Sequence, residues 1–247
     1  MNVLSGRVAV VTGAASGIGL AVSEAFAAEG MIVVMADIDD ASLSLETTRL
    51  LAEGLVVVPI TVDVSDPDAL DSVGHAIVDE FGALHVAVNN AGIVNGGFSW
   101  ELSLEEWHRV MNINLWGVIH GIHSFVPLIL ASESEGHVVN VASMASVYPL
   151  GQLGPYTVAK HGVLGLSDVL RAELQGLGAP VGVSVVMPGL IRTGMNPVGT
   201  VEPSTVAANI IDAIRRDRDY VFTDDHYATE VEMRLQAILA SRSEVRS

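Results

Sequence analysis

Tyr156 and Lys160 stand four residues apart in the stretch YTVAK, and Lys160 is the only lysine of a 247-residue chain that carries eleven arginines. Side chains at i and i+4 share one face of a helix. A phenol with a pKa near 10 is a poor base at neutral pH, whereas an ammonium beside it stabilises the phenolate and offers three donors to neighbouring hydroxyls. Arginine would bring charge without a compact, tetrahedral donor on a flexible stem. An arginine-favouring composition explains why lysine is rare, yet not why one remains at this position. Ser143 closes the run GHVVNVAS, thirteen residues before Tyr156, where its hydroxyl can donate to a carbonyl or alkoxide. Asn114, in NINLWG, can tie the lysine to a water chain that carries a proton to solvent. The chemistry these four residue types suit is proton transfer at a carbinol or carbonyl oxygen.

A second constellation suits a dinucleotide. In TGAASGIG, residues 12–19, Gly13, Gly17 and Gly19 let backbone approach a pyrophosphate, with Ser16 and Ile18 between them at the opening of a helix whose N-terminus attracts phosphate. Asp37 follows Gly19 by 18 residues and is placed to accept from both ribose hydroxyls of NAD. The same carboxylate repels a 2′-phosphate, and neither Ile38, Asp39 and Asp40 nor the glycine-rich turn supplies a cation to neutralise one. NAD is therefore the expected cofactor. Asp63 can accept from an adenine amino group, with Val64 against the ring; Ser65 and Asp66, before Pro67, are the better helix caps. In NNAG, residues 89–92, Asn90, Ala91 and Gly92 leave room for the cofactor, although a tight turn explains them equally well.

Positioning these groups takes strands that end where they stand. Short Val/Ile-rich runs at 7–12, 31–36, 55–62, 84–89, 137–143 and 181–187 read as strands buried on both faces, with helix-length segments between them. A seventh strand is expected at 219–223, then a helical tail over 224–241 in which Tyr227, Val231, Leu235, Ile238 and Leu239 recur at near-helical spacing. Alternating strands and helices imply a doubly wound, Rossmann-type parallel sheet of about seven strands with helices on both faces. No linker or repeat divides residues 1–247, so one domain is expected.

Composition narrows the partners. Net charge is −17, which disfavours nucleic acid, acidic membranes and acidic carrier domains. Cysteine is absent, excluding disulfide and thiolate chemistry. No apolar run approaches the roughly 20 residues of a membrane span, and the N-terminus has no leader pattern, so a cytoplasmic protein is expected. His120 and His123 lack a third partner for a metal, and Asp224, Asp225, His226 and Glu230 read as a solvated helix start; no metal site is expected.

Taken together, the glycine-rich turn at 12–19, NNAG at 89–92, N-x-x-G at 114–117, Ser143, Y-x-x-x-K at 156–160 and Pro188–Gly189 resemble the classical short-chain dehydrogenase/reductase family, in order and spacing, over about residues 5–195. The resemblance implies Tyr156 as general acid/base, Lys160 as its pKa modifier and ribose anchor, Ser143 as carbonyl-orienting donor and Asn114 as relay support. It also places Pro188, Gly189, Ile191 and Thr193 at the nicotinamide. The tail departs from the family pattern of a short strand with an aspartate and paired glycines. A homodimer through helices at 103–131 and 156–176 is expected, and a homotetramer is put in doubt.

The segments 94–98, 144–153 and the substrate loop 190–203 are expected to line the substrate side. They contribute Val94, Phe98, Met144, Val147, Tyr148, Leu150, Leu153, Leu190 and Met195, next to Ser143 and Tyr156. Such a lining suits a lipophilic secondary alcohol or ketone, alicyclic, aromatic or steroid-like. A non-catalytic NAD-binding sensor and a reductase of a polar or sugar-like substrate are the alternatives.

Overall fold

The computed structural model describes residues 1–241; residues 242–247 of the expected unit lie outside the described residues. Seven parallel strands form one sheet in the order β3-β2-β1-β4-β5-β6-β7: β1 (Val8–Thr12), β2 (Ile32–Asp37), β3 (Val57–Thr61), β4 (Val86–Asn89), β5 (Gly136–Val141), β6 (Val181–Met187) and β7 (Tyr220–Phe222). Every residue of β1, β4 and β5 is buried, as expected of strands covered on both faces. In the edge strands β3 and β7 exposed positions alternate with more buried ones, because successive side chains point to opposite faces and the helices cover the sheet less completely at its edges.

Helices α1 (Gly17–Ala28), α2 (Asp40–Ala52) and α7 (Pro203–Arg216) cover one face, where Phe26, Leu43, Leu50, Ile210 and Ile214 are fully buried. The other face carries α3 (Pro67–Phe81), α5 (Gly117–Ala131) and α6 (Gly154–Gly176). Local sequence explains these boundaries. Asp66 accepts from the Asp68 and Ala69 amides and Pro67 fits the first turn, while Gly82 ends α3 at φ 81°. The polarity of α3 then puts Leu70, Val73 and Ile77 on the sheet.

Helix α4 (Leu104–Met111) opens on a capping box of Ser103 and Glu106, and a π-helical turn at Asn112–Trp116 joins it to α5. The resulting 28-residue run has the length and apolarity of a membrane span, contrary to the expectation that none exists. In the fold, 44% of its most apolar window is buried, with α5 packed on α3 and on β4.

The strand order reverses between β1 and β4, so the carboxyl ends of β1, β2, β4 and β5 open onto a crevice at the switch point. Buried amides brace that edge: Asn89 donates to Asn140 (2.8 Å), which donates to Ser167 (3.0 Å) on α6. Gly121 on α5 lies so close to Asn89 that an added Cβ would collide with its Oδ1. Gly121→Ala is expected to destabilise the fold by about 1–3 kcal/mol, measured as a lower urea midpoint with unchanged m-value.

Candidate active site

The glycine-rich turn closes β1 with Gly13 and Gly17 at φ 67° and 56°. A Cβ on Gly13 would sit 2.8 Å from Ala91 Cα, and one on Gly19 would collide with the Gly13 carbonyl, so both must be small for the turn to pack. Thr12 ties this turn to NNAG. Its hydroxyl accepts from the Asn90 and Ala91 amides (2.9 and 3.2 Å), while Asn90 Nδ2 donates to the Thr12 carbonyl at 2.9 Å. Asp37 Oδ2 accepts from the Ala15 amide at 2.9 Å, and Oδ1 from the Asp39 amide at 3.0 Å. The carboxylate is thus fixed beside the turn.

One cleft of about 670 Å³ runs along this edge. Its wall includes Gly13, Ser16, Gly17, Ile18, Asp37, Ile38, Asp63, Val64, Asn90, Ala91, Gly92, Pro188, Gly189, Ile191 and Thr193, together with Ser143, Tyr156 and Lys160. Gly19 and Asn114 lie behind the wall. Asn114 is fully buried in the π-helical turn, where it accepts from the Ile93 amide (2.8 Å) and donates to the Ile93 carbonyl (2.7 Å). It makes no direct bond to Lys160, although both side chains approach Gly92 closely enough to touch a Cβ placed there.

Ser143 caps a short 3₁₀ turn at 144–146, accepting from the Ala145 amide at 3.1 Å, and lines the cleft beside Tyr156. Lys160 is 3% exposed, with Nζ 5.8 Å from the centroid of the Tyr156 ring, and donates to the Val141 carbonyl at 2.8 Å. Burial brings its ammonium down from 10.5 to about 8. Burial pushes the Tyr156 phenol up, and the Ser143 hydroxyl offsets that only in part. Removing the phenolate from water outweighs its neighbours.

Of the nine residues expected on the substrate side, Leu150, Leu153, Val94 and Met195 line the cleft, but Met144, Tyr148 and Leu190 do not. Met144 packs into the core with Val163 and Met187, Tyr148 stacks on Tyr227 at 5.4 Å, and the Leu190 carbonyl accepts from Thr200 and Val201 within the loop. Phe98 stacks on Trp100 and Val147 packs with the Met144 cluster; neither lines the cleft. Gly194 and Asn196 of the expected loop also join the wall, while Ile93 and Ile113 join it unforeseen, Ile113 from the π-helical turn. Among the described residues, no cluster suited to a metal occurs.

Asp224 is not part of a solvated helix start. Its Oδ2 accepts from the Gly189 amide at 3.1 Å and its Oδ1 from the His226 amide at 3.0 Å, pinning the turn after β6. The departure of the tail is therefore smaller than its sequence suggests, because a short strand followed by an aspartate is present. Helix α8 (Ala228–Ala240) then lies against its own domain through Val231.

Residues 7–200 match the family model for short chain dehydrogenases, and the chain belongs to that family. The 1-deoxy-11-beta-hydroxypentalenate dehydrogenase of Streptomyces exfoliatus is 36% identical over 233 residues, which span 90% of this chain and 84% of the relative. A short-chain dehydrogenase/reductase from Burkholderia phymatum, solved in complex with NAD, superposes with a TM-score of 0.95 at 31% identity, covering 98% of this chain and 97% of that one. The apo form of LigD from Sphingobium sp. strain SYK-6 gives 0.89 at 28% identity, covering 96% and 98%.

The buried lysine sets a pH signature. Its value in the folded state lies below its unfolded one, so between about pH 8 and 10.5 the unfolded chain binds the extra proton. Stability from this group is fully present above 10.5 and is lost as pH falls through 8. Urea unfolding across that window is expected to show wild type gaining stability relative to Lys160→Met as pH rises; a constant difference would contradict the burial of the charge.

Proposed function

We propose that the protein is an NAD-dependent oxidoreductase that interconverts a secondary alcohol and a ketone, and that its substrate is lipophilic and uncharged. One observation carries the reading: Ser143, Tyr156 and Lys160 line the same cleft as the glycine-rich turn and Asp37. Bound NAD supplies the carbon that takes or returns a hydride. Gly13, Gly17 and Gly92 leave backbone open along its expected path, and the Asp37 oxygens keep lone pairs free beside the bonds they already accept. Neither the glycine-rich turn nor Ile38, Asp39 and Asp40 brings a cation beside Asp37, which favours NAD over its 2′-phosphorylated form. The NAD bound by the Burkholderia relative supports the same choice.

In oxidation Tyr156 takes the carbinol proton, and in reduction it returns one to the ketone oxygen; Ser143 donates to that oxygen and orients it. Lys160 spends one donor on Val141 and has two left for ribose hydroxyls. With the phenol held up by burial, reduction uses the form that dominates at neutral pH, whereas oxidation accelerates as pH rises. Among the described residues the only charged groups in the cleft wall are Asp37, Asp63 and Lys160. Val94, Leu150, Leu153 and Met195 make the substrate end mostly apolar beside Asn196, which supports a lipophilic alcohol and weighs against sugars and carboxylates. The name of the Streptomyces relative supports alcohol oxidation. Half-exposed Trp116, Val158 and Val169 on the two long helical segments support a homodimer.

Cyclohexanol, indanol and menthol, with the matching ketones, are the first panel to test with both nucleotides. Turnover with NAD is expected to exceed that with NADP, and equal rates would overturn the role given to Asp37. Tyr156→Phe is expected to lose roughly 10²–10⁴-fold in kcat, and ordinary turnover in that variant would sink the assignment. Lys160→Arg, which keeps the charge, is expected to fold and yet lose most activity.

A further inference from the structure

Helix α8 reaches the catalytic elements through one side chain. Arg234, partly buried on its inner face, donates through one terminal nitrogen to the Val147 carbonyl at 3.0 Å and through the other to His161 Nε2 at 3.3 Å. His161 Nδ1 lies 2.9 Å from the Thr157 carbonyl, which can only accept, so Nδ1 carries the proton and Nε2 is the acceptor that meets the guanidinium. Val147 belongs to the turn that starts at Ser143, and His161 follows Lys160 on α6. The arginine fork therefore bridges the two elements that bring Ser143 and Tyr156 together.

Nothing about holding α8 in place demands a guanidinium there. Val231 is buried with Met144 and Val147, and Tyr227 stacks on Tyr148. A planar fork is the group that fixes two acceptors on separate elements at a set spacing. We propose that Arg234 is a positioning residue: it clamps the Ser143 turn to the helix of Tyr156 and Lys160, so that the Ser143 hydroxyl stays beside the Tyr156 phenol. The inference rests on the reading that Ser143 and Tyr156 act on the substrate oxygen.

The test is ultraviolet difference titration of the Tyr156 phenol, each protein being compared with its own Tyr156→Phe counterpart. The groups facing the phenol are the Ser143 hydroxyl and the Lys160 ammonium. Loss of the clamp lets the Ser143 hydroxyl drift from the phenol that it lowers, so Arg234→Ala and Arg234→Met are expected to titrate higher than wild type, in the direction of Ser143→Ala. The Met variant keeps an apolar stem on the same surface and controls for a general loosening of α8. Arg234→Lys, able to reach one acceptor at a time, should fall between. With cyclohexanol and NAD, kcat should drop roughly tenfold at unchanged nucleotide affinity. A wild-type titration in both Ala and Met variants overturns the clamp, as does an unshifted Ser143→Ala. Full turnover in Tyr156→Phe would instead remove the catalytic reading, while the titration shifts would still decide whether Arg234 clamps the turn.

Discussion

An ammonium almost cut off from water is the constraint on which this site depends. Burying a charge is costly unless it is hydrogen-bonded, and Lys160 meets that condition through the carbonyl of Val141, the last residue of β5. The strand must therefore stop where it does, and α6 must run at the height that brings its seventh residue to that carbonyl. Tyr156, one turn earlier, is then carried to the mouth of the cleft without any further device. The surrounding burial that makes the lysine a fixed donor also disfavours the phenolate beside it. The same desolvation thus supplies positional order and opposes one of the protonation states the chemistry uses.

Most of this was legible in residue order. Strands buried on both faces announce themselves as unbroken Val/Ile runs, and the glycine-rich turn, Asp37, Ser143 and Tyr156 with Lys160 are local patterns whose geometry is fixed within a few residues. What the pattern cannot carry is the path of chain between strands. Met144 and Tyr148 face away from the cleft because the 3₁₀ turn after Ser143 packs against α8, some eighty residues downstream. Asp224 looks like one acid among several until the fold sets it against the Gly189 amide. The protonation tendency of Tyr156 escapes for a related reason: a neighbouring lysine is visible in sequence, but the loss of water around both groups belongs to the whole tertiary structure.

Backbone amides and carbonyls do much of the positioning. Thr12 gathers two amides of NNAG, Asp37 holds two more, and Asn114 takes both the N–H and the C=O of Ile93. Side chains short enough to have few rotamers lose little freedom in doing so. The cleft wall is therefore pinned by hydrogen bonds at its polar end, whereas Met195 and Leu150 line it with side chains that make none, a division that suits a constant cofactor and a variable substrate.

The π-helical turn at Asn112–Trp116 carries a consequence for how such a chain can change over time. A π turn holds one residue more than an α turn, with the Gly117 amide reaching back to the Asn112 carbonyl. Deleting one residue of the turn would return the helix to α geometry with its two flanks close to their present phase, because the wide turn absorbs the extra residue locally. Gly121 would stay against Asn89, while Asn114 would lose the bulge that carries it to both backbone groups of Ile93. The extra residue therefore belongs to the site and not to the helix: a shorter chain could keep the same fold and lose only the brace under Ile93.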